Sequence, residues 1–117
     1  MNERPLIAAG TGKTISLIAE TQFAENGIVS RTVFRSEHCR VVLFGFAAGQ
    51  ELSEHTSTQH ALVQILSGTC DFTVAGERHA LKAGDLLYLA PNQPHAVGAT
   101  QPFSMLLTLT AAAPAKG

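Results

Sequence analysis

Apolar and polar residues alternate along much of the chain, and β-branched and aromatic side chains gather in short runs at residues 14–19, 28–35, 40–47, 62–66, 69–75, 86–90 and 103–110. A period of two puts every second side chain on one face, so each run predicts a strand with one face turned to a core. No window repeats its apolar positions at helical spacing. Between the later runs stand Gly68, Gly76 and Gly84, eight residues apart. Each can take the positive φ of a tight turn, in Ser67-Gly68, Ala75-Gly76 and Ala83-Gly84-Asp85. Short strands at even spacing with turn signals predict an all-β domain closed as a sandwich or barrel over residues 14–110. No motif repeats with that spacing, so a solenoid is not expected. Residues 1–13 read as a loose N-terminal arm, which could pair with a neighbouring chain because open sheet edges invite addition. Residues 111–117 read as a flexible tail.

The composition narrows the class. The chain has 117 residues, of which 45% are hydrophobic, enough for one domain with a buried core. Charged residues make up 15%, against roughly 25% in ordinary globular chains, which excludes a disordered chain. Eight Lys and Arg oppose nine Asp and Glu without blocks, so no basic stripe awaits phosphates and no nucleic-acid partner is expected. The longest apolar run, residues 41–48, is broken by Gly45 and is far short of a bilayer span, so no membrane partner is expected. The N-terminal segment has too brief an apolar run for a signal peptide, and the expected compartment is the cytoplasm. Cys39 and Cys70 make neither a disulfide framework nor a zinc-type spacing and read as reduced thiols.

Gly10-Thr11-Gly12-Lys13-Thr14 resembles a phosphate-binding loop, but the pattern needs a glycine where Ile7 stands and a preceding strand that residues 1–9 do not offer. A more informative pair of segments lies further on. In the first, Gly49, His55, Ser57, Ala61 and Gly68 stand at the spacing G-x5-H-x-[Ser]-x3-[Ala]-x6-G. In the second, Gly84-Asp85 is followed by Ala90, Asn92, Pro94-His95 and Ala99. Together they resemble the two motifs of the cupin superfamily, with Ser57 in place of the second histidine and Ala61 in place of the glutamate of the first motif. In the second, Ala90, Asn92 and Ala99 replace Pro, Gly and Asn. The resemblance spans about residues 35–110.

That resemblance implies a double-stranded β-helix, or jelly-roll, of small single-domain cupin type, and a homodimer. It also implies a metal centre in which His55 and His95 would be ligands to one divalent ion, Fe, Mn, Ni, Cu or Zn, since imidazole suits several. If residues 55–61 form one extended strand, His55, Ser57, Gln59 and Ala61 share the inward face, and alternation turns His60 away unless a bulge intervenes. Ser57, Gln59, Ala61 and Tyr88 are then the expected pocket residues. His38 and His79 fall outside the motifs, and Asp85 reads as a turn residue rather than a partner for histidine. Two function classes follow: a metal-dependent dioxygenase-like or isomerase-like enzyme using His55 and His95, or a non-catalytic binder of a small ligand that has lost the metal. The substrate is not readable from the residues.

Overall fold

A computed structural model describes residues 4–112. After one helical turn, α1 (Leu17–Glu20), come strands β1 (Ile28–Arg35), β2 (Cys39–Phe46), β3 (Glu51–His55), β4 (His60–Ser67), β5 (Thr69–Val74), β6 (Glu77–Lys82), β7 (Leu86–Leu89), β8 (His95–Gly98) and β9 (Phe103–Thr110). They form a five-stranded sheet in the order β1-β2-β9-β4-β7 and a four-stranded sheet in the order β3-β8-β5-β6. Every neighbouring pair is antiparallel. This is the expected all-β jelly roll.

Alternation decides which side chains meet between the sheets. Along β4, Ala61, Val63 and Ile65 are buried while Leu62 and Gln64 are exposed, and along β5 Cys70, Phe72 and Val74 are buried. Phe46 and Phe103, paired in register on β2 and β9, stack with ring centroids 4.5 Å apart at the centre of this core. The turns are as specific as the strands. Gly68 has φ +74°, and a Cβ there would collide with the Pro102 carbonyl oxygen and lie 2.9 Å from Phe103 Cα. Only glycine fits. Val74 pairs with Glu77 across a two-residue turn, Ala75-Gly76, whose φ values of 50° and 84° are those of a type I′ hairpin.

One expectation changes. The strand predicted at residues 14–19 is instead α1 with its entry. Ser16 is the N-cap, its hydroxyl accepting from the Ala19 amide at 3.1 Å. At the far end the Arg31 guanidinium donates to the Glu20 carbonyl oxygen at 2.8 Å and to its carboxylate at 3.0 Å. Capping at both ends competes successfully with the strand propensity of Thr14 and Ile15. Within residues 1–13, the amides of Leu6 and Ile7 donate to the carbonyls of Thr32 and Val33. Val33 is the extra residue of a β-bulge opposite β2, which frees its backbone for this contact. Residues 1–3, and residues 113–117 of the expected tail, lie outside the described residues.

Strands β3, β6 and β8 were not legible in the pattern. β3 and β6 are the edges of the four-stranded sheet, and most of their side chains are exposed, so little apolar alternation marks them.

Candidate functional site

The site is built where β3 meets β8. Glu51 pairs with Gly98 and Leu52 with Val97, after which the register shifts so that His55 lies opposite His95. One residue more stands on β3 than on β8 between those pairs. In an unbroken strand Leu52 and His55, three apart, would point to opposite faces. The bulge turns both to the same side, and both line one cavity.

That cavity has a volume of about 120 Å³. His55, His95, Leu52, Val97 and Phe72 face it from the four-stranded sheet, and Phe44, Val63, Leu89, Met105 and Leu107 from the other. No lysine, arginine or carboxylate is among these lining residues. The imidazole centroids are 4.3 Å apart with planes at 64°, an edge-on contact. His95 is buried at 9% exposure, and His55 is exposed at the mouth.

Each ring is oriented by its own backbone. His55 Nδ1 lies 2.8 Å from the Ser53 carbonyl oxygen and His95 Nδ1 lies 2.9 Å from that of Gln93. A carbonyl only accepts, so both Nδ1 atoms carry hydrogen, and in the neutral ring the lone pair is on Nε2. Gln93 is itself held in place: the turn Ala90-Pro91-Asn92-Gln93 closes with the Gln93 amide on the Ala90 carbonyl, and the Gln93 side-chain oxygen accepts from the Ala90 amide. Asn92, at the motif's glycine position, has φ +66°, which asparagine tolerates better than most residues.

The remaining sequence candidates lie elsewhere. The chain leaves β3 at His55 and enters β4, in the other sheet, at His60, so the single extended strand expected over residues 55–61 is not formed. Ser57 organises that loop: its hydroxyl accepts from the Gln59 amide and its carbonyl from the Asn92 amide. Ala61 is inward and buried in the core. Tyr88 lies on the outer face, half exposed, its hydroxyl 2.7 Å from His60 Nδ1. None of Ser57, Gln59, Ala61 and Tyr88 lines the cavity around the two histidines. The residues that do line it, Leu52 and Phe44 among them, carry no polar signature that sequence reading could have singled out. Asp85 is a turn residue, its carboxylate accepting from the Lys82 amide at 2.9 Å. His38 is highly exposed beside Glu37, and His79 lies 3.5 Å from Glu77.

A catalytic metal is usually held by three protein ligands with one position open. Here two imidazoles converge, and among the described residues no group of three or more His, Cys, Asp or Glu side chains is placed to hold an ion. The donor set does not fit such a centre. Away from the site, burial pushes the Cys70 thiol up to about 11, with Asp71 and then Asp85 adding to the shift.

Two antiparallel sheets closed over a histidine-bordered apolar cavity define a small β-barrel of the jelly-roll class. The chain belongs to the cupin family: the cupin domain model matches residues 42–109. No curated protein matches it in sequence. A conserved Streptococcus pyogenes protein of unknown function is 27% identical, with a TM-score of 0.82 over 97% of this chain and 98% of its own. A cupin superfamily protein from Desulfitobacterium hafniense is 24% identical, with a TM-score of 0.81 over 87% of this chain and 94% of its own. A putative mannose-6-phosphate isomerase from Ralstonia eutropha is 17% identical, with a TM-score of 0.76 over 86% of this chain and all, 100%, of its own. The last two likenesses are of fold. No helix among the described residues is long and apolar enough to cross a membrane.

Proposed function

We propose that this cupin is a small-molecule-binding protein, acting without a resident metal, whose ligand lies in the cavity between the sheets against His55 and His95. The observation that carries the reading is the convergence of two oriented imidazoles on an otherwise apolar cavity. Burying the polar His95 ring against apolar walls is unfavourable unless something uses it. The cavity, of about 120 Å³, admits a ligand of roughly five non-hydrogen atoms, by comparison with benzene in a cavity of about 150 Å³. Calorimetry against a library of small hydroxylated and carbonyl compounds tests it: a hit that binds the wild type and not His95→Ala supports the reading. A hit that binds His95→Ala equally well overturns it.

A second reading, a metal-dependent dioxygenase-like or isomerase-like enzyme, draws on one specific observation. Both Nδ1 atoms are tied to backbone carbonyls, as metal-bound histidines commonly are. Elemental analysis of untagged protein decides it: about one Fe, Mn, Ni, Cu or Zn per chain, lost in His95→Ala, would replace the binder with the enzyme.

The protein is further proposed to be cytoplasmic and homodimeric. Leu62 at 40% exposure, Leu86 at 65% and Tyr88 at 50% stand together on the outer face of β4 and β7, an apolar patch of the kind that marks protein contacts. Sedimentation of wild type and Leu86→Glu tests the dimer. A wild-type monomer at micromolar concentration removes it.

A further inference from the structure

We infer, resting on the small-molecule reading above, that the cavity selects ligands that donate a hydrogen bond and rejects carbonyl compounds of the same size. The argument starts from the two Nδ1 atoms. Each donates to a backbone carbonyl, so what remains on each neutral ring is the Nε2 lone pair, an acceptor. His95 is 9% exposed, and its Nε2 makes no hydrogen bond to the protein. No buried side-chain N or O is unpartnered among the described residues. The nitrogen therefore keeps accessible surface, on a ring that lines the cavity.

The other walls offer nothing to complement a ligand acceptor. Phe44, Phe72, Val63 and Met105 are typical of them, and a thioether is at most a weak acceptor. A ketone oxygen placed at the histidine end would face two lone pairs and find no side-chain donor. Two acceptors, the ketone oxygen and His95 Nε2, would then be desolvated together, and leaving polar groups unpaired out of water is where discrimination is largest. A hydroxyl or N–H satisfies Nε2 of His95 directly, while the exposed His55 takes a second donor or water. The ligand class is thus a compact, mainly apolar molecule with an O–H or N–H at one end, such as a small alcohol or a pyrrole-type N–H.

Matched probes test this on the full chain at pH 8. Cyclobutanol is paired with cyclobutanone, and pyrrole with furan, with binding followed by methyl NMR shifts of Met105, Val97 and Leu107. The expected result is that each donor binds at least about tenfold tighter than its partner and that His95→Phe brings each pair within about twofold. His55→Ala, at an exposed position, serves as a second variant and is expected to narrow the preference without abolishing cavity binding. Ketone and alcohol binding alike in the cavity overturns the donor rule while leaving the small-molecule reading standing. No shift at these methyls from any probe overturns both.

Discussion

Ala75 occupies a backbone conformation that its side chain disfavours. With φ 50° it sits in the left-handed region, which costs an L-residue roughly 1–2 kcal/mol. Asparagine is the residue that type I′ turns prefer there, and the position is exposed. Ala75→Asn is expected to raise unfolding free energy by about 0.5–1 kcal/mol in urea titration; an unchanged midpoint would show that the turn relaxes when the partner strand forces it. Gly68→Ala is the opposite case. Strain and collision with Pro102 and Phe103 add, and a loss of about 2 kcal/mol or more is expected. Cys70 links stability to pH. Its thiol is raised from 9.0 to about 11 by burial, so the folded state holds its proton where the unfolded state releases it. The corresponding stability is full below about pH 9 and is lost as pH rises towards 11, on the order of 3 kcal/mol. Stability measured from pH 8 to 10.5 is expected to fall more steeply in wild type than in Cys70→Val, and parallel curves would refute the linkage.

At the scale of elements, the bulge in β3 decides the site. His55 faces the cavity beside Leu52, three residues away, only because the bulge absorbs the extra residue in the pairing with β8. Deleting Glu54, an exposed residue, removes the bulge, leaves Leu52 and His55 two positions apart and should keep both on the cavity face. The expected readout is persistence of nuclear Overhauser contacts between the His55 and His95 rings, with the fold retained by circular dichroism; loss of those contacts would mean that the irregular backbone of the bulge, and not alternation, aims His55. This is also where sequence reading stops. The motif spacing singled out His55 and His95, whose ring centroids lie 4.3 Å apart in the structure, because it encodes chain length between fixed turns. Alternation then carried Ser57 and Gln59 onto the same face, and failed, because a bulge and a change of sheet leave no apolar trace. The same blindness applied to β6 and β8, whereas β2, β4, β5 and β9, with one face buried, were legible from their side chains. At residues 14–19 the signal was present but differently directed: Ser16 before Leu-Ile-Ala-Glu is an N-cap followed by helix formers.

On the scale of the whole molecule, the cavity lies between the two sheets, so a ligand there touches both. Binding confined to the folded state stabilises it by mass action, about 2.7 kcal/mol at a hundred times the dissociation constant. For a domain of this size that is on the order of 10 °C in melting temperature. A molecule adhering to the exposed Leu62, Leu86 and Tyr88 patch could also raise the melting temperature, so the shift by itself does not locate the ligand. Two substitutions separate the cases. His95→Ala removes a cavity wall but leaves the patch intact, and Leu86→Glu does the reverse. A cavity ligand is expected to lose its shift in His95→Ala and keep it in Leu86→Glu. The opposite pattern would place recognition on the outer face of β4 and β7, and the two imidazoles would then be polar side chains of the barrel with no ligand to hold.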